Sequence, residues 1–454
     1  MIFNQDNYVI ETVSHEQESF TFRAFRNRIY VEHPVNAEFQ QMHIFAPEEY
    51  YHGGSINGYK LTTAPIFVPN MVGGYMPGGL AEPEYVEWKG KMQANTVLRA
   101  LQHGYVVAVP AIRGRVQQDE SGKYTGKAPA CVVDYKAAVR YLHFFAEELP
   151  GDASKIITNG TSAGGALSSL MGSTGNHPDY VPHLQALGAA DAGDEVFAAS
   201  CYCPITNLDH ADMAYEWEFG KEKKYDKWGE TGELSALQIQ VSEQLKNLFP
   251  AYLNGLKLKD GKGIELTLDE NGEGTFKEYM KQVVLASAQR ALDSGVDVSH
   301  KVWLQVENTK AVSMHWDAYV KDITRMKCPP AFDDLSLSSF ENNLFGTEQT
   351  QANHFTDFSV ANSLVNGKKA DQKIIKLLNP MNYIEDASAT KAKYFRIRHG
   401  ERDRDTSLAI SAILTLKLRE AGCEVDYHSP WDTPHDGDYD LEELFAWIDG
   451  ICLK

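Results

Sequence analysis

Gly160-Thr161-Ser162-Ala163-Gly164 has the spacing G-x-S-x-G. Small residues on both sides permit a tight turn from a strand into a helix, which lifts the serine hydroxyl clear of its own backbone. The helix start beside it leaves N–H groups free to hold a developing oxyanion. Such a serine can attack an acyl carbonyl, provided that a base takes its proton and an acid orients the base. On a sheet carrying this turn the partners follow in the order Ser…Asp/Glu…His. His399-Gly400-Glu401-Arg402-Asp403 offers Asp403 as the acid, with Asp405 as the alternative. Of the 15 histidines only His428 and His435 follow Asp403. His428 falls in a strand-like stretch, so His435, in Pro430–Asp438, is the candidate base. The oxyanion hole is expected from the Ala163 N–H together with Gly73 and Gly74 of Val72-Gly73-Gly74-Tyr75. No G-K-[ST] follows those glycines, so they are not a phosphate loop.

These groups need a framework that brings distant loops to one edge. Short apolar runs supply it: Thr63–Pro69, Tyr105–Ile112, Lys155–Asn159 and Phe197–Pro204 read as buried strands, and Phe22–Glu32 and Gln41–Phe45 as further extended segments. Ala130–Glu148 has helical spacing between two of them. Fully apolar strands alternating with helices imply an α/β fold, a mostly parallel twisted sheet with helices on both faces. After Pro204 the pattern turns helical. Ser235–Leu258 carries Leu237, Val241, Leu245 and Leu248 at helical steps, and Thr275…Glu278 reads as a capping box. Alternation resumes with Tyr394–Arg398, a helix over Ser407–Ala421, Glu424–Ser429 and a last helix Leu441–Ile451. The expected organisation is a discontinuous domain, 1–203 with 381–454, interrupted by an insertion over 204–380.

The 454 residues include 43 basic and 62 acidic ones, a net charge of −19, which disfavours binding to a phosphate backbone. No apolar run approaches the roughly 18–20 residues that a membrane span requires. Met1–Glu18 is polar and acidic without the apolar core of a secretory signal, so the expected location is the cytoplasm. The six cysteines are scattered, and Cys201-Tyr202-Cys203 has no second ligand pair to make a zinc site. Asp269-Glu270-Asn271-Gly272-Glu273-Gly274 resembles a calcium loop, but its twelfth position is Met280, so it reads as a polar turn. Asp436, Asp438 and Asp440 read as solvating a loop and favouring the start of the last helix. No metal and no cofactor is expected.

Longer stretches carry a family likeness: VPNMVGGYMPGG (68–79), IITNGTSAGGALS (156–168), CPITNLDHADMAYEWEF (203–219), RMKCPPAF (325–332), ENNLFG (341–346), RIRHGERDRDTS (396–407) and PWDTPHDGDYDL (430–441). In order along nearly the whole chain, they resemble the bacterial tannases (tannin acyl hydrolases), serine esterases of the α/β-hydrolase fold. The resemblance implies the triad Ser162, Asp403 and His435, and a lid formed by 204–380. It implies recognition of a galloyl ring by Lys327, Glu341 and Asp405. Phenolic hydroxyls can donate to the two carboxylates, and the ammonium can donate back. Ile205 and Phe340 would then sandwich the ring, with Phe340 standing where a smaller apolar wall such as proline is expected. Related fungal tannases and feruloyl esterases link a cysteine before the serine to one after the histidine; here those positions are Thr161 and Asp436.

The implied reaction is hydrolysis of galloyl esters, such as gallotannins and alkyl gallates, through an acyl-enzyme, with a small phenolic ester as partner and neither nucleic acid nor membrane. A feruloyl or general aryl esterase is the alternative. A peptidase of the prolyl-oligopeptidase kind would need N-terminal propeller repeats, which are missing. A non-catalytic binding protein would have no use for an intact Ser/Asp/His set.

Overall fold

Runs of branched and aromatic residues become strands of one sheet in the computed structural model, which describes residues 1–88 and 90–453. Its strands, in chain order, are β1 (Val9–His15), β2 (Glu18–Ile29), β3 (Gln41–Pro47), β4 (Pro65–Pro69), β5 (Val106–Pro110), β6 (Asp152–Thr161), β7 (Ala198–Tyr202), β8 (Tyr394–Arg398) and β9 (Glu424–His428). They lie side by side as β1-β2-β3-β5-β4-β6-β7-β8-β9. The first three pairings are antiparallel and the five from β5 to β9 are parallel. Every residue of β4, β5, β7 and β8 is buried, as expected for strands covered on both sides. The mixed α/β architecture follows the sequence pattern. β1 was not legible, because this edge strand has no buried residue and therefore no apolar alternation.

The helices that matter to the site are α1 (Thr96–Gln102), α2 (Ala130–Phe144), α3 (Ala163–Ser173), α4 (Leu208–Phe219), α5 (Ala236–Gly255), α6 (Thr275–Asp293), α7 (Trp316–Ile323), α8 (Phe340–Leu344), α9 (Leu408–Glu420) and α10 (Leu441–Cys452). α1 packs with α10, and α2 with α3, which itself lies on β6 and β7. α4 to α8 belong to the segment between β7 and β8, and α4 and α6 pack against α9. One contiguous apolar core runs from Phe67 and Phe445 to Phe249, Phe276 and Trp316, joining that segment to the sheet.

Two local expectations fail for physical reasons. α5 buries Val241, Leu245, Phe249 and Leu253, a stripe at four-residue steps, while Leu237 and Leu248 fall outside it and are exposed. Its start is capped instead by Ser235, whose hydroxyl accepts from Gln238 N–H while the Gln238 side chain accepts from Ser235 N–H. Thr275 does not cap α6. Its hydroxyl donates to the Glu265 carbonyl and accepts from Thr267 N–H, and Glu278 pairs with Lys281. The Asp269 segment is indeed a turn, its carboxylate accepting from the N–H groups of Asn271 and Glu273.

Phe445 of α10 fixes the last helix to the sheet, its ring 6.2 Å from Phe67, 5.4 Å from Tyr105 and 5.0 Å from His103. Phe445→Ala should therefore cost about 3–5 kcal/mol of stability, whereas Leu453→Ala, on an exposed side chain, should cost less than about 0.5 kcal/mol. Urea unfolding of the two variants checks the contrast, and equal midpoints would contradict it.

Candidate active site

Ser162 lies between β6 and α3 with φ +61°, a left-handed conformation that non-glycine residues adopt at a cost. It is held there by Ser162 N–H donating to Tyr202 O (3.0 Å) and Ile205 N–H donating to Ser162 O (3.1 Å). Gly160 is required, because a side chain at that position would run into Gly164 O and the Asn70 amide. Asn70 itself donates to Asn159 O and Gly164 O, both at 3.0 Å, and accepts from Val72 N–H. One amide thus joins the serine turn to the loop holding Gly73 and Gly74. Among the described residues the N–H groups of Ala163, Gly73 and Gly74 donate to no protein group.

The base must travel from the sheet edge. β9 lies three strands from β6, so the loop after it has to cross the ends of β8 and β7. Each step of that path is bonded. Glu401 N–H donates to Pro430 O (2.8 Å) and Arg402 N–H to Thr433 O (2.9 Å). The Asp403 carboxylate faces His435 Nδ1 at 2.8 Å, and the Cys203 thiol donates to Asp436 O at 3.3 Å. Gly437 then passes so close to Thr161 that a side chain would collide with its hydroxyl. Asp438 and Asp440 end the crossing. Asp438 accepts from Asn159 (2.9 Å) and Thr96 (2.7 Å), and Asp440 from the Tyr202 hydroxyl (2.5 Å) and Arg396. Asp438 and Asp440 do more than solvate a loop, since both are anchors; Asp440 also stands at the start of the last helix, as expected, though without a side-chain cap bond.

Asp403, rather than Asp405, is therefore the carboxylate that meets His435. Asp405 faces elsewhere, donating its N–H to Asp403 Oδ1 at 2.9 Å and pairing its own carboxylate with Lys327 Nζ at 2.6 Å. Among the described residues no hydrogen bond joins Ser162 Oγ to His435 Nε2, which lies 3.9 Å from Cys203 Sγ. Apo catalytic contacts are commonly longer than those of the reacting complex. Burial works against charge on both partners of the Asp403–His435 pair, but their mutual attraction outweighs it, holding the Asp403 pKa at about 2 and raising that of His435 well above 6.5.

Glu341 is buried on α8, close enough to Lys327 and Asp405 for their charges to act on its carboxyl. Burial raises the Glu341 pKa, with Lys327 opposing; burial would lower that of Lys327, but Asp405 and Glu341 raise it. Ile205 is 4% exposed and Phe340 50% exposed, so the first is part of the core and the second is open to a ligand. Phe340 sits beside Gly74, under the Arg115 guanidinium at 4.5 Å. Arg115 had no motif to reveal it. It donates to Gly74 O (2.8 Å) and Asn343 Oδ1 (3.2 Å), tying the glycine loop to α8.

Cys203, Asp403 and His435 have ligating atoms within 4.8 Å of one another. Burial raises the Cys203 pKa, which disfavours the thiolate a metal would need, and two of the three groups are already bonded to each other. All six cysteines are free.

The charge state of His435 makes a prediction. Only its neutral form takes a proton from Ser162, so labelling of Ser162 by a fluorophosphonate should rise with pH through a midpoint above 6.5. Asp403→Asn removes the charge that raises it, so the midpoint should move down and the rate fall by about 10⁴. A wild-type midpoint below 6.5 would contradict this account of the pair.

The BD-FAE family, an α/β-hydrolase family, matches residues 79–225. No curated protein matches the chain. Among solved structures the chain is similar to the tannin acyl hydrolase from Lactobacillus plantarum, with 47% identity, 99% of this chain and 98% of that one covered, and a TM-score of 0.96. It is equally similar to a tannin acyl hydrolase in complex with ethyl gallate (47%, 99% and 98%, 0.95) and to Fusobacterium nucleatum tannase (47%, 99% and 99%, 0.95).

Proposed function

The chain belongs to the tannases, the tannin acyl hydrolases, and is a carboxylic ester hydrolase; from that premise we propose that it cleaves esters of 3,4,5-trihydroxybenzoic acid with Ser162 as nucleophile. The observation that carries the reading is the bond from Asp405 N–H to Asp403 Oδ1 at 2.9 Å. It links the carboxylate that orients the base to one that can accept from a phenol, two residues away on one loop. The complex of a relative with ethyl gallate supports the substrate class.

His435 Nδ1–H donates to Asp403, which leaves the Nε2 lone pair to take the Ser162 proton as Oγ attacks the ester carbonyl. Negative charge then grows on the carbonyl oxygen, and the free N–H groups of Ala163, Gly73 and Gly74 receive it. His435 returns its proton to the departing alcohol, then activates the water that releases the acid from Ser162. The ring hydroxyls donate to Glu341 and Asp405 and accept from Lys327, with Phe340 and Ile205 as the apolar walls. Residues 204–380 act as the lid over the catalytic domain formed by 1–203 and 381–454.

The alcohol lies on the other side of Ser162. His435 must reach its oxygen, so it belongs next to the loop that carries His435. A cavity of about 320 Å³ is bordered by Ser162, Thr161, Thr96 and, from the loop that carries His435, Asp438; none of Lys327, Glu341 and Asp405 lines it, and it is the proposed place for the alcohol.

A site built to bond hydroxyls leaves its own polar groups unpaired when the hydroxyls are missing, at about 1–3 kcal/mol each. Methyl gallate should thus exceed methyl benzoate in kcat/KM by roughly 10³-fold or more, with methyl protocatechuate between them. Ser162→Ala should lower methyl gallate hydrolysis by about 10⁴–10⁶ in a folded protein. Steady-state kinetics on the ester series decides, and a preference for methyl ferulate would favour the feruloyl esterase reading instead.

A further inference from the structure

Lys327 and Asp405 come from segments 78 positions apart in the chain, yet their charged atoms meet at 2.6 Å. A single hydroxyl lies behind both. Tyr215 of α4 is fully buried, and its Oη accepts from the N–H groups of Met326 and Lys327, both at 3.0 Å. The same hydroxyl donates to Arg404 O at 2.9 Å, the residue preceding Asp405. A phenol has one proton to give and two lone pairs to offer, so all of its capacity is used. Its ring is held between Phe219, 4.7 Å away, and Phe332, 6.3 Å away, so the hydroxyl has little freedom to shift. Burial pushes the phenol up to about 12, so it keeps the proton that Arg404 requires.

The neighbouring residues of α4 serve the same two segments. Glu216 pairs with Arg325 at 2.6 Å, and Arg325 Nε donates to Lys327 O at 2.9 Å. Glu218 accepts from the Ser407 hydroxyl (2.6 Å) and from Leu408 N–H (2.9 Å), fixing the far end of the Asp403–Asp405 loop. Of these three α4 residues Tyr215 alone bonds to both segments; outside α4, Asp226 also reaches both, its N–H donating to Arg325 O at 3.0 Å and its carboxylate lying 3.5 Å from the Arg404 guanidinium.

We propose that Tyr215 is a positioning residue for acyl recognition: its hydroxyl sets the spacing of Lys327 and Asp405 and thereby selects for hydroxylated rings, without touching the substrate. This inference rests on the assignment of Lys327 and Asp405 to the ring hydroxyls. It differs from a structural role, because removing the hydroxyl should impair binding of hydroxylated acyl groups far more than cleavage of esters that bypass the pair.

The test is Tyr215→Phe in the full chain, assayed on methyl gallate and on p-nitrophenyl acetate, which has no ring hydroxyl to recognise. The ratio of kcat/KM for gallate over acetate should fall by roughly tenfold or more, about the worth of one net hydrogen bond, chiefly through KM. In a Lys327→Met background the same change should leave that ratio within about twofold, since coupled positions do not add. A ratio unchanged in the wild-type background, or an equal loss on both esters, overturns the proposal. If Tyr215→Phe fails to fold, 3-fluorotyrosine at position 215 keeps the shape while weakening the oxygen as an acceptor. A lowered ratio then supports the proposal and an unchanged one overturns it. Wild-type protein that does not prefer methyl gallate to methyl benzoate defeats the functional reading and this inference together, whereas a preference that Tyr215→Phe leaves intact defeats this inference alone.

Discussion

The site depends on one crossing. His435 follows the edge strand, Ser162 follows a strand three places inward, and the loop between β9 and α10 has to span that gap without drifting. It does so by spending a backbone or side-chain bond on each strand end it passes, from Glu401 to Asn159. The two aspartates at its end are half-buried acceptors, fixed by Thr96, Asn159, Tyr202 and Arg396. A loop restrained at both ends and along its path loses little further entropy when the base engages the serine. The same holds for Ser162, whose unfavourable backbone angles are maintained by its backbone bonds to Tyr202 and Ile205.

Much of this was legible in the sequence because it rests on local chemistry. The serine turn needs glycines at fixed places, the triad has a chain order, and buried parallel strands are continuous apolar runs. The partners of polar side chains were not legible. Asp438 and Asp440 look like any acidic loop residues until the fold places Arg396 and Tyr202 against them. Thr275 and Glu278 have the spacing of a cap, yet a nearby carbonyl and a lysine compete for them and win. Periodicity located α5 but not its rotation: of the four leucine and valine positions at helical steps, Leu237 and Leu248 are exposed. Arg115 and Tyr215 carried no local signal, because each acts by joining segments far apart in the chain.

Recognition and catalysis share a short piece of backbone. Asp403 and Asp405 face opposite ways from one loop, the first toward His435 and the second toward Lys327. Lys327 and Asp405 are paired with each other, so in the proposed reading a phenol inserts into an existing ion pair. That exchange costs little when the ligand offers both a donor and an acceptor at each hydroxyl, and much when it offers neither. In the proposed reading the net charge of −19 has no part in this discrimination, which is a matter of three charged side chains, Lys327, Glu341 and Asp405.

The stretch Tyr215–Glu218 belongs by chain order to the segment inserted between β7 and β8, yet its bonds end on Arg404, Ser407 and Leu408 beyond that insertion. The insertion is consequently not a removable module. Exchanging it for another would strand a buried carbonyl, a serine hydroxyl and a helix start on the catalytic side. Substitutions in this short stretch thus call for paired changes on both sides of the junction. In an evolving lineage the two parts inherit each other's history.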